Sequence, residues 1–164
     1  MIEPPAIQFQ HVETPIGRIL VAGDDLAVRH VRFERDNAPG PLWVPARGGP
    51  VGQAARELNE YFAGKREHFE VAAVPAGTEF QLRVWKQLRT IPYGETTSYG
   101  ELARRIGQPT ASRAVGAANG ANPIPIIIPC HRAVGADGSM TGFGGGITVK
   151  RKLLALEAGQ RALA

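Results

Sequence analysis

Cys130 is the only cysteine in the 164-residue chain, and it stands between Pro129 and the pair His131-Arg132. A thiol beside an imidazole and a guanidinium is what a cysteine nucleophile asks for. A free thiol ionises near about 8.5, so at neutral pH it needs a base or a positive charge close by to become a thiolate. Adjacent residues of an extended chain point to opposite faces, so His131 reaches Cys130 only through a bend or a bridging water. The residue types leave other readings open. A lone cysteine also serves as a small buried apolar residue, and His131 also fits a passive core or surface position. A single thiol forms no internal disulfide and falls short of the ligand count of a structural zinc site. No metal or diffusible cofactor is implied.

Several elements have to place that thiol. Prolines 123, 125 and 129 hold the chain out of helical geometry. With Ile124, Ile126, Ile127 and Ile128 between them, the segment is expected to be a buried extended rod that aims Cys130 from a fixed base. Upstream, Thr78 followed by Gln81 is a capping box that opens a helix with Phe80, Val84 and Leu88 on one stripe. Ser98 with Glu101 opens a second helix, closed by Gly107, and Pro109-Thr110 starts a third. The last two form a helix-turn-helix candidate. Its second helix is nearly bare, with Ala111, Ala114, Gly116, Ala117, Ala118 and Gly120 around a single long side chain, Arg113. Helices that read the major groove present several long polar side chains, and this one does not. A bare face suits close approach to another helix or to a DNA minor groove. Downstream, Gly142 to Gly146 around Phe143 offers unobstructed backbone N–H groups to a flat ligand, or else a flexible connection. A last helix runs through TVKRKLLALEAG.

The first part of the chain has a different character. AIQFQHVET, RILVAG and LAVRHVRFE alternate as three short strands of an antiparallel meander. Residues 38–50 hold four prolines and three glycines, so a loop without regular structure is expected there. VGQAARELNEYFAG then has the apolar spacing of a helix laid on the sheet. The expected class is α+β: domain 1–77 with a small antiparallel sheet and a helix, and domain 78–164, mostly helical. Residues 1–77 carry 8 Lys/Arg against 10 Asp/Glu, and residues 78–164 carry 11 against 5. The basic half therefore holds Cys130, which suits a polyanionic partner or a solvated basic surface. MIEPPAIQFQ lacks the features of a signal peptide, and no run of about 18 apolar residues is present, so a cytoplasmic location and no membrane partner are expected.

Taken in order, FQLRVWKQLRTIPYGETTSYGELARRIG, RAVGAANGANPIPIIIPCHRAVG and TGFGGGITVKRKLLALE resemble the O6-alkylguanine-DNA alkyltransferases. The likeness covers residues 78–158 with a Pro-Cys-His-Arg signature, and the preceding part is similar to the family's N-terminal domain. Members with a four-cysteine zinc domain are excluded. The resemblance implies direct reversal of damage: Cys130 takes the alkyl group from guanine O6 in duplex DNA and keeps it, in one irreversible turnover after base flipping. It implies that His131, held by Glu157, activates the thiol through a water, and that Tyr99 donates to guanine N3. Asn122 braces the turn before the active site, the Ala133 carbonyl meets the guanine amino group, and Phe143 and Gly144 line the alkyl pocket. Arg113 enters the base stack, with Thr110, Ala111, Ser112, Ala114 and Ala117 around it on DNA. Phe143-Gly144 stands where the family often has tyrosine followed by serine or glycine, and Ala133 where valine is usual. A monomer is expected, with cooperative assembly on DNA and action on O4-alkylthymine left open. Two other classes compete, a lesion-binding module without transfer and a turnover cysteine hydrolase. Cys130 argues against the first, and its adjacency to His131, without an oxyanion signature, against the second.

Overall fold

The computed structural model describes residues 6–140, 143 and 145–163, and of residues 160–163 the backbone alone. It divides into two compact units, Met1–Pro75 and Ala76–Ala164. The class is α+β.

In the first unit β1 (Gln8–Thr14), β2 (Gly17–Gly23) and β3 (Val28–Arg32) pair antiparallel in chain order. The Thr14 hydroxyl closes the first turn, donating to Gly17 O at 2.6 Å and accepting from the Ile16 N–H at 3.1 Å. At the second turn the Asp24 carboxylate accepts the Leu26 and Ala27 N–H groups. Gly23 is needed there, because a Cβ would lie 2.3 Å from the Ala27 oxygen. The expected loop over 38–50 is corrected: it contains a short strand, β4 (Val44–Pro45), parallel to β1. The sheet is therefore mixed rather than antiparallel, in the order β3-β2-β1-β4. Pro45 is compatible with this because its neighbours do the donating, Val44 to Ile7 O at 2.9 Å and Ala46 to Phe9 O at 2.8 Å. Helix α1 (Gly49–Phe62) starts inside the same span and buries Val51, Ala54, Ala55, Leu58 and Tyr61.

The second unit opens with α2 (Glu79–Leu88), capped reciprocally by Thr78 and Gln81. Its buried stripe is Val84, Trp85 and Leu88, and Phe80 sits at the half-exposed margin. Trp85 Nε1 donates to Ala118 O at 2.8 Å and ties α2 to α4 (Ser112–Gly120). Between them lies α3 (Tyr99–Arg105), where Ser98 accepts the Glu101 N–H. The second half of that expected capping box is absent, since the Glu101 carboxylate turns to Arg104 and Arg105 instead. Two short parallel strands, β5 (Thr97–Ser98) and β6 (Ala133–Val134), pair Thr97 with Ala133 and Ser98 with Val134. That pairing sets Tyr99, the first residue of α3, beside the chain leaving Cys130. Helix α5 (Ile147–Leu163) completes the unit.

The expected extended rod before Cys130 is also corrected. The segment is buried, with Ile124, Ile126 and Ile128 at 0–1% exposure, but it folds back on itself. Ile128 N–H donates to Ile124 O at 2.9 Å, and Ile126 sits at φ 74°. A β-branched residue in that region is strained and persists only where its surroundings fix it. Prolines 123, 125 and 129 exclude helix but permit turns, and burying four isoleucines in one small unit favours a compact knot over a straight stalk.

Candidate active site

Cys130, His131 and Arg132 form one turn of 3₁₀ helix at the end of that knot. The bend removes the objection that adjacent side chains must diverge. Asn122 fixes the knot from both ends: its Nδ2 donates to Ile128 O at 2.9 Å, and its Oδ1 accepts the Ile124 N–H at 3.0 Å. The same side chain hydrogen-bonds the thiol.

Cys130 is 2% exposed. Burial pushes its thiol up to about 11, against the opposing pull of Asn122 and the Lys150 charge. His131 Nε2 meets Glu157 Oε2 at 2.6 Å, with both side chains fully buried. Glu157 also accepts from Arg132 Nε at 2.9 Å, Arg132 Nη2 at 3.1 Å and the Gly94 N–H at 3.1 Å. Burial alone would raise its carboxyl; the hydrogen bonds and charges of His131 and Arg132 outweigh it and hold the group far below the usual carboxylate range. Burial keeps His131 below the ordinary imidazole range in spite of Glu157. With Nε2 committed to the carboxylate, Nδ1 is buried and has no hydrogen-bond partner among the described residues.

Tyr99 bounds the other side. Its hydroxyl oxygen receives Lys150 Nζ at 3.3 Å and Asn119 Nδ2 at 3.5 Å. Burial and the nearby Cys130 push the phenol up to about 12, so it stays a protonated donor. Lys150, fully buried on α5, also donates to the Ala133 carbonyl and lies 5.9 Å from the Phe143 ring centroid. Burial lowers its ammonium and the Cys130 charge opposes that. The Ala133 carbonyl, expected to face a guanine amino group, thus already accepts from Lys150.

Tyr99 and Arg113 share a cavity of about 740 Å³ with Ser112, Gly116, Ala117 and Asp137. Arg113 is exposed and makes no hydrogen bond or ion pair among the described residues. Ala114 and Thr110 are exposed beside it, and Ala111, half-buried, is the N-cap of α4. Gly144 lies outside the described residues. Among those described, no three His, Cys, Asp or Glu side chains gather as a metal site requires.

Sequence reasoning missed Lys150, Asn119 and the part Arg132 plays. A signal for Lys150 was present: Lys150, Leu153 and Glu157 fall at i, i+3 and i+7 of one helix, so they share a face. All three are fully buried.

Fold and site together describe an α+β protein whose cysteine and histidine sit on one turn, backed by a buried carboxylate. Residues 7–75 match the model of the 6-O-methylguanine DNA methyltransferase ribonuclease-like domain, and residues 79–159 that of the DNA binding domain of the same family. A methylated-DNA–protein-cysteine methyltransferase of Mycobacterium bovis is 51% identical over 153 residues, 92% of either chain. One from Methanosarcina acetivorans is 49% identical over 148 residues, 88% of this chain and 94% of its own. Among solved structures, the Mycobacterium tuberculosis enzyme in complex with DNA superposes with a TM-score of 0.86 at 48% identity, covering 93% of this chain and 94% of its own. This chain belongs to the methylated-DNA–protein-cysteine methyltransferase family and is an enzyme of that type.

Proposed function

We propose that the protein repairs alkylated DNA by moving the alkyl group of an O6-alkylguanine onto its own Cys130, once per molecule. The observation that carries this is the buried series Cys130, His131 and Glu157 on and behind one turn, with His131 Nδ1 unpartnered among the described residues. The sulfur attacks the alkyl carbon; the S–C bond forms as the C–O6 bond breaks. The thiol proton passes to His131 Nδ1 through a water and is returned through solvent to the departing guanine anion, so the products are neutral guanine, a thioether and an unchanged imidazole. A thioether is not released by any nucleophile in the site, which makes the reaction stoichiometric. Tyr99 eases the departure of guanine by donating toward N3 as negative charge develops on the base. Lys150, close to Cys130 and Tyr99, stabilises anionic sulfur in the same step.

DNA is the partner, met by α4 in the minor groove. Its small side chains allow close approach, and Arg113 fills the stack when the damaged nucleotide leaves it. Extrusion costs a few kcal/mol, and less for a weakly paired lesion. Because Cys130 is 2% exposed, the groups over it have to shift as the base enters. A duplex labelled in the O6-methyl group tests the reading. Label should pass to the protein, and Cys130→Ala should abolish transfer while still binding the duplex. Transfer surviving in that variant would refute the assignment.

A further inference from the structure

Glu157 carries a single negative charge and is shared by two side chains, the His131 imidazole and the Arg132 guanidinium. Oε2 is shared by His131 Nε2 at 2.6 Å and Arg132 Nη2 at 3.1 Å, and Oε1 by Arg132 Nε at 2.9 Å and the Gly94 N–H at 3.1 Å. Arg132 is pinned from behind as well, with Nη1 donating to Ile91 O at 2.8 Å and the guanidinium 5.6 Å from the Tyr93 ring centroid. The fork is thus built into the core between α5 and the loop after α2, in a geometry that a guanidinium fills and an ammonium does not.

We propose that Arg132 is a positioning residue that sets the charge of its neighbour: by holding the Glu157 carboxylate bidentately, it keeps His131 a neutral imidazole, able to accept the Cys130 proton. A buried carboxylate hydrogen-bonded to an imidazole ordinarily draws a proton onto the ring. Here the guanidinium, which does not deprotonate, has already offset that charge. Lys150 adds a second positive charge from α5 that acts in the same sense, while Cys130 is the ring's chain neighbour and Tyr99, pushed up to about 12 by burial, brings no charge. A protonated His131 would make a third cation against one carboxylate. Its Nε2–H, donated to Glu157, also fixes the tautomer that leaves Nδ1 with its lone pair. The lowered imidazole agrees: burial is its largest cause, and the Arg132 and Lys150 charges add to it.

This inference rests on the repair reading for its purpose, but its test does not need repair. Nitrogen NMR of the full-length, unalkylated protein reads the His131 ring directly, with the signal assigned by its loss in His131→Asn. In the wild type the ring should be neutral at pH 7, protonated at Nε2 and bare at Nδ1. In Arg132→Gln it should titrate about 1 to 3 pH units higher, the span an uncompensated neighbouring charge produces. Arg132→Lys, which keeps the charge but not the fork, should titrate between the two. The acid limb of the single-turnover rate should move up in pH with Arg132→Gln. An imidazolium at pH 7 in the wild type overturns the proposal, and that result needs no variant to fold. Arg132→Gln titrating where the wild type does overturns it too. Absence of alkyl transfer alongside the expected NMR shifts would instead count against the repair reading.

Discussion

At the scale of single residues, the site keeps its ionisable groups away from their ordinary ranges, and the directions dictate how stability follows pH. His131 is held below the imidazole range and Glu157 far below the carboxylate range. Each contributes stability that is present above its unfolded value, about 6.5 and about 4.3, and lost as pH falls through the folded one. Cys130, raised to about 11, contributes below its unfolded value of about 8.5 and loses that contribution as pH rises. The thermal midpoint should therefore be highest between about pH 6.5 and 8.5 and decline on both sides. His131→Asn should flatten the first step on the acid side. A midpoint indifferent to pH from 8 down to about 5 would show that these groups are not buried as described.

At the scale of elements, the knot of 122–129 matters most, because it sets where the sulfur stands. Asn122 spans it with two hydrogen bonds, and removing the side chain strands a buried N–H and a buried carbonyl. Asn122→Ala should cost about 1–3 kcal/mol in denaturant unfolding and slow transfer beyond what the lost stability explains. Transfer at the wild-type rate would mean the knot holds Cys130 without this brace. On α4, Arg113→Ala should weaken repair of paired duplex more than of a single strand, as competing repair kinetics on the two substrates would measure. An equal loss on both would remove the stacking role.

Elements set by local chemistry were legible in the sequence. Thr78 and Gln81 announce a capping box because both hydrogen bonds close within four residues, and α2 starts where they place it. The Pro-Cys-His-Arg run put a thiol and an imidazole on one turn for the same reason. What depended on distant partners was not legible. The isoleucine knot could not be told from an extended rod, since prolines exclude helix without choosing between strand and turn. The strand at Val44–Pro45 exists only because β1 offers an edge. Glu101 abandoned its capping role for two arginines on its own helix. Arg132 read as a positive charge beside the thiol, because the partners that turn it toward the core, Glu157 and the Ile91 carbonyl, lie far along the chain.

At the scale of the whole molecule, charge is divided by sequence: residues 78–164 hold 11 basic against 5 acidic side chains. Phosphate contacts release counterions, so duplex binding should weaken with salt by a log–log slope of about −0.9 for each phosphate neutralised. Titrations at several salt concentrations measure it, and a slope near zero would contradict an electrostatic contribution from this half.

The central claim is that the protein is consumed by its own chemistry, and intact mass spectrometry tests it most directly. Incubated with excess duplex carrying O6-methylguanine, the protein should gain the mass of one methyl group and stop there, with peptide mapping placing the group on Cys130. An unchanged mass on a protein that still binds the lesion, or demethylation that continues past one equivalent, would contradict the account.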